Sequence, residues 1–160
     1  MLFRSLLGNV LSKISKVSIS PKSYNNKFGV PLSLFNLKQN DEFGILEIGM
    51  DKKGEIDYLS KIIKPDVGVI TNINYAHAKN FKNIKQIALA KSEIINNIKP
   101  NGYAVLNADD SFFQLHKNIA KKKKIKVVSF GIKSQKSDIK LNNIQPFEKN
   151  FRISIRLNNK

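Results

Sequence analysis

The stretch "IKPDVGVITNINYAH", residues 63–77, runs from a helix-ending proline through an apolar run to a histidine. Val67, Val69 and Ile70 form a short continuous run between turn signals, the pattern of a strand buried on both faces. The phrase returns 35 residues later as "IKPNGYAVLN" (98–107), again with proline closing a helix just ahead of the strand. That interval is the length of one helix-plus-strand unit and does not indicate a solenoid.

The two strands so marked read as "DVGVITNI" (66–73) and "YAVLN" (103–107); working outward, "KVSIS" (16–20), "FGILEIG" (43–49) and "KVVSFG" (126–131) read as further buried strands. Segments of helical period lie near 25–36, 54–63, 83–99 and 111–121. Continuous apolar strands separated by helices predict an α/β fold with a mostly parallel sheet and helices on its faces. After Gly131 the pattern changes to period two in "DIKLNNI" (138–144) and "FRISIRL" (151–157), which predicts an antiparallel hairpin at the sheet's edge. The expected organisation is therefore an α/β core over 1–131 and an edge hairpin over 132–160.

The chain has 160 residues, 41% of them hydrophobic, enough for one domain with a buried core. No apolar run is long enough to span a membrane. "MLFRSLLGNVLSKI" spaces its apolar residues as an amphipathic helix does and has no small-residue cleavage site, so it does not read as a signal peptide. The absence of cysteine excludes disulfides and thiolate metal sites and fits a cytoplasmic protein. Net charge is +16, yet only three of the 28 basic residues are arginines. Nucleic-acid surfaces lean on arginine forks and stacked aromatics. A dispersed lysine surface is expected here, and nucleic acid is not the expected partner. A basic nucleic-acid-binding α/β module stays as the alternative from another class. The cluster at 121–124 follows a helix whose C-terminal dipole it complements.

Five residues stand out as candidates for chemistry. Glu47 is a carboxylate among Ile45, Leu46 and Ile48, costly to bury unless paired with a cation. His77 follows a strand's end, where parallel sheets place ligands. Lys91 falls on the apolar stripe of "NIKQIALAKSEIINNI" with Ile84, Ile87, Ala88, Ile94, Ile95 and Ile98. A lysine there snorkels, pairs with an acid, or has its chemistry changed. Glu47, His77 and Lys91 together suggest a metal or phosphate site. Asn26 precedes a glycine and a proline-containing helix start, and Asn107 ends a strand. Asn107 either pairs with a base edge or caps the helix from Ser111, in competition with Asp109 and Asp110.

The phrases "YNNKFGVPLSL", "EIGMDKKGEI", "PDVGVITNINYAHAKNF", "ALAKSEI" and "VLNADD", in this order, resemble the central ATP-binding domain of the Mur ligases of peptidoglycan synthesis. The likeness runs over about residues 5–157 and is greatest to the branch that joins D-alanyl-D-alanine to a UDP-muramoyl-tripeptide. Folylpolyglutamate synthetase-like and cyanophycin synthetase-like ligases share this core. The resemblance implies ATP and magnesium as cofactors. It implies Glu47, His77 and Lys91 as magnesium ligands, with Lys91 carbamylated, Asn107 beside adenine, and Asn26 towards phosphate and substrate. It implies a cytoplasmic enzyme that phosphorylates the UDP-muramoyl-peptide carboxylate and lets an amine attack the acyl phosphate. One feature departs from the family. No G-x-x-G-K-[ST] phosphate loop occurs in the sequence, and the family's N- and C-terminal domains are not represented. The resemblance therefore implies a partial central domain, inactive alone.

Overall fold

The computed structural model describes residues 2–75, 80–148 and 150–158. The chain divides into two compact units, residues 1–63 and 64–160. The described strands form two sheets, one in each unit.

The first unit runs α1 (Leu2–Leu11), β1 (Val17–Ile19), α2 (Gly29–Phe35), β2 (Phe43–Ile45) and α3 (Glu55–Ile63). Its two strands are parallel, with Val17 opposite Phe43 and Ile19 opposite Ile45. β2 ends four residues earlier than the apolar run predicts, because side chains take over from the ladder. The Glu47 N–H donates to Ser20 Oγ at 3.3 Å, and the Gly49 N–H donates to the Asn25 carbonyl at 2.7 Å. α2 starts later than expected because Asn26 Oδ1 accepts from the Phe28 and Gly29 N–H groups, both at 3.0 Å, and closes a turn ahead of the helix. Gly54, at φ +92°, makes the entry to α3, and Glu55, its first residue, holds the preceding loop by accepting from the Asp51 and Lys52 N–H groups.

The second unit holds β3 (Val67–Ile70), α4 (Ile84–Ser92), a 3-10 turn (Glu93–Asn97), β4 (Tyr103–Asn107), α5 (Phe113–Lys122), β5 (Lys126–Gly131), β6 (Ile139–Phe147) and β7 (Asn150–Leu157). Its sheet has the order β3-β4-β5-β6-β7, parallel except for the antiparallel pair β6–β7. The repeated "IKP" phrases sit where the sequence places them and set the register of β3 and β4. The Lys99 N–H donates to the Pro65 carbonyl, and the Tyr103 N–H donates to the Asp66 carbonyl, so Val67 lies opposite Tyr103. Gly102 is required there, since a Cβ would lie 2.5 Å from the Asp66 carbonyl oxygen. The core joins Ile70, Ile95, Ile98, Ala104, Leu106, Ala120 and Ile125. The helix expected over 83–99 tightens after Ser92 into the 3-10 turn, which buries Ile95.

Candidate functional site

In the first unit, Glu47 lies two residues beyond the end of β2, with its side chain about one third exposed at 32%. It is therefore at a strand end and not inside the strand. Its cation is Arg4 of α1. The Arg4 Nη1 is 3.4 Å from Glu47 Oε2 and donates to Ser20 Oγ at 3.2 Å and to the Pro21 carbonyl at 3.0 Å. One buried guanidinium thus ties α1 to the ends of both strands. Its Nε is buried without a hydrogen-bond partner. Asn26 uses its side-chain oxygen for the turn before α2, as described above.

In the second unit, Lys91 is half-buried, and its Nζ donates to the Asn72 carbonyl at 3.1 Å. Burial lowers its pKa below the ordinary lysine value of 10.5, and the nearby Asp110 charge opposes that shift. Of the described lysines only Lys91 and Lys140 are not exposed. Its place on the apolar stripe thus marks Lys91 apart from its surface counterparts, whereas Lys140 in β6 carries no such mark. Lys121, Lys122, Lys123 and Lys124 are exposed at and beyond the C-terminal end of α5. His77 lies outside the described residues.

Three consecutive residues after β3 are each held by a different side chain. Asn107 Nδ2 donates to the Thr71 carbonyl at 2.9 Å, Lys91 holds the Asn72 carbonyl, and the Ile73 N–H donates to Asp110 Oδ2 at 2.7 Å. These bonds end the ladder at Ile70 although the apolar run continues to Ile73. Asn107 Oδ1 accepts from the Asp109 N–H at 2.9 Å, so its amide is oriented at both ends. The amide still has one further donor hydrogen and one further lone pair by chemistry. Of the competing caps, Asp110 is the one at the helix entry, accepting from the Phe112 N–H at 2.8 Å.

Several residues of this region were missed by sequence reasoning. Asp109 accepts from the Ile132, Lys133 and Ser134 N–H groups and latches the loop after β5. Desolvation works against its charge, but those three N–H groups outweigh it and hold its pKa low. His116 of α5 is buried, with Nε2 3.1 Å from the Ala88 carbonyl of α4. A carbonyl only accepts, so Nε2 carries the proton. Burial lowers the His116 pKa; the Ala88 bond and Asp110 oppose that, and Lys91 adds to it. Its spacing from Phe113 and Ala120 places it on a helix stripe, and that signal could have found it. Arg4 carried no comparable mark in sequence.

Among the described residues no group of three or more His, Asp or Glu side chains is placed to hold a metal. As an ammonium Lys91 cannot be a ligand; as a carbamate it offers the oxygens a hard cation takes. Glu47 offers carboxylate oxygens, with Arg4 as the kind of outer partner that orients a ligand. Among the described residues no helix is long and apolar enough to cross a membrane.

The model of the Mur ligase middle domain matches residues 3–160. The UDP-N-acetylmuramoyl-tripeptide–D-alanyl-D-alanine ligase of Buchnera aphidicola subsp. Acyrthosiphon pisum is 36% identical over 133 residues, covering 83% of this chain and 29% of its own. The ligase of the same name from Bacillus subtilis is 37% identical over 111 residues, covering 69% and 24%. The crystal structure of MurF from Acinetobacter baumannii superposes with a TM-score of 0.87 at 31% identity, covering 98% of this chain and 33% of its own. The MurF ligase from Thermotoga maritima in complex with ADP gives 0.81 at 30% identity, covering 95% and 34%. The chain thus spans about three tenths of the length of the relatives it matches.

Proposed function

Because the chain belongs to the Mur ligase family, with residues 3–160 matching its middle domain, we propose that it is the ATP-binding part of a ligase of peptidoglycan synthesis. The observation that carries this reading is the match over residues 3–160, together with relatives that are D-alanyl-D-alanine-adding ligases. The proposed reaction moves the ATP γ-phosphoryl group to the carboxylate of a UDP-muramoyl-peptide. The D-alanyl-D-alanine amine then attacks the acyl phosphate and releases phosphate, leaving an amide bond. Such chemistry asks the protein to position groups and neutralise phosphate charge. The cytoplasm, where ATP and UDP-linked precursors occur together, is the proposed location.

Glu47, His77 and Lys91 are the proposed magnesium ligands. The support for Glu47 is its strand-end position and the Arg4 ion pair. The support for Lys91 is its half-buried amine, whose lowered pKa favours the neutral form that takes up CO2. In carbamylation the ammonium first gives up one proton; the neutral amine nitrogen then bonds to the carbon of CO2 and loses a second, so that a cation is exchanged for an anion. Bound magnesium would supply charge neutralisation on the phosphates. Asn107 is the proposed adenine contact, using the amide capacity that Thr71 and Asp109 do not take. Asn26 is proposed on the phosphate and substrate side. The proposed domain organisation is a core over 1–131 and a hairpin over 132–160 within one partial central domain. Likeness to Lactobacillus folylpolyglutamate synthetase, at 12% identity and a TM-score of 0.66, concerns the fold alone.

The reading is tested by transplanting residues 3–158 into the corresponding stretch of a full-length D-alanyl-D-alanine-adding ligase. Amide formation from UDP-muramoyl-tripeptide and D-alanyl-D-alanine is expected, with loss in the Lys91→Ala chimaera. A folded chimaera that binds ATP but never forms the amide would overturn it.

A further inference from the structure

Asn107, the last residue of β4, has its side-chain amide held by two backbone groups of opposite kind. Nδ2 donates to the Thr71 carbonyl at 2.9 Å, and Oδ1 accepts from the Asp109 N–H at 2.9 Å. Turning the amide over would set its NH2 against the Asp109 N–H and its oxygen against the Thr71 carbonyl, donor on donor and acceptor on acceptor. Only one of the two orientations is satisfied. Both anchors are themselves fixed. Thr71 opens the segment that Lys91 and Asp110 hold at the next two residues. Asp109 is pinned by its carboxylate, which accepts from the Ile132 N–H at 2.6 Å, the Lys133 N–H at 3.0 Å and the Ser134 N–H at 2.7 Å. A Cβ on Gly131 would lie 3.0 Å from Asp109 Oδ1, so the carboxylate sits directly against the end of β5.

An asparagine amide meets a purine edge as one donor beside one acceptor. Adenine offers its 6-amino donor next to a ring-nitrogen acceptor, whereas a 6-oxo purine puts an acceptor where adenine has the donor. An amide free to turn over can follow either base; an amide fixed in one orientation cannot. We propose that Asp109 is a positioning residue that sets the base specificity of the nucleotide site, holding its own N–H in place and so locking the Asn107 amide in the orientation that takes a 6-amino purine and refuses a 6-oxo purine. The role rests on Asn107 being the adenine contact, as proposed above. It assigns Asp109 a task beyond ordering the loop after β5.

Calorimetric titration of the chimaeric ligase with ADP and with inosine diphosphate, which carries oxygen in place of the 6-amino group, tests this. The unaltered chimaera is expected to prefer ADP by about tenfold or more. Asn107→Leu should weaken ADP binding and abolish the preference. Asp109→Ala should bring the preference towards unity while keeping more of the ADP affinity than Asn107→Leu does, and Asp109→Asn, which retains one acceptor oxygen, should restore part of it. If Asn107→Leu leaves ADP affinity unchanged, the adenine contact itself is wrong and the role of Asp109 falls with it. If Asn107→Leu removes the preference and Asp109→Ala does not, or if Asp109→Ala weakens both nucleotides by the same factor, the role of Asp109 alone is overturned. A second measurement needs no nucleotide. In the 160-residue chain, proton exchange of the Asn107 side-chain NH2 should be slow and should quicken in Asp109→Ala; equal exchange in the two would also overturn the proposal.

Discussion

Lys91 and His116 are two titratable side chains that the fold withdraws from water, and each makes stability depend on pH. For Lys91 the folded pKa lies below 10.5, so between the two values the unfolded chain holds a proton that the folded chain does not. Stability contributed at this position therefore rises with pH across that window. Urea midpoints should show the wild-type chain gaining on Lys91→Met as pH rises towards 10.5; a constant difference would contradict the burial of this amine. For His116 the folded pKa is also depressed, below 6.5. Its contribution is complete above that value and is lost as pH falls towards the folded pKa. His116→Leu should remove this acid sensitivity and, through the lost bond to the Ala88 carbonyl, cost about 1–3 kcal/mol at neutral pH. Lys91 was legible in the sequence because a charge on an apolar stripe breaks a pattern. Arg4 was not: it sits in an amphipathic segment where arginine is ordinary, and only the folded chain brings it to Glu47.

The order of helices and strands was readable because proline, glycine and apolar runs are local signals. β4 and β5 have the bounds the sequence predicts. β2 and β3 stop earlier because Ser20, Asn107, Lys91 and Asp110 compete for backbone groups the ladder would use, and such competition depends on contacts distant in sequence. The same logic applies to Asp109, whose carboxylate holds three successive N–H groups of the loop after β5. Asp109→Ala should speed amide hydrogen exchange at Ile132, Lys133 and Ser134 while leaving β4 protected; unchanged exchange there would show that the latch does not order the loop. Gly102→Ala should destabilise the second unit by about 1–3 kcal/mol, since a methyl group would press on the Asp66 carbonyl and the buried Ile98. A thermal melt unchanged by Gly102→Ala would contradict the close approach of those strand starts.

For the molecule as a whole, the central proposal is that these residues belong to the ATP-binding part of a Mur ligase and, without a phosphate loop among them, bind nucleotide poorly by themselves. The sequence contains no G-x-x-G-K-[ST] stretch, so within these residues a triphosphate lacks that loop's N–H cradle and lysine. Each charge-assisted contact is worth about 1.5–3 kcal/mol, so two or three of them amount to at least a hundredfold in affinity, roughly 3 kcal/mol or more. Calorimetry of magnesium–ADP binding, with and without a strand and G-x-x-G-K-[ST] segment fused ahead of Met1, measures that difference. The account predicts binding too weak to detect for the 160-residue chain, and clear binding for the fusion that weakens in its Asn107→Leu variant. Equal affinity with and without the loop would contradict it, as would magnesium-dependent ATP hydrolysis by the chain alone that His77→Ala abolishes.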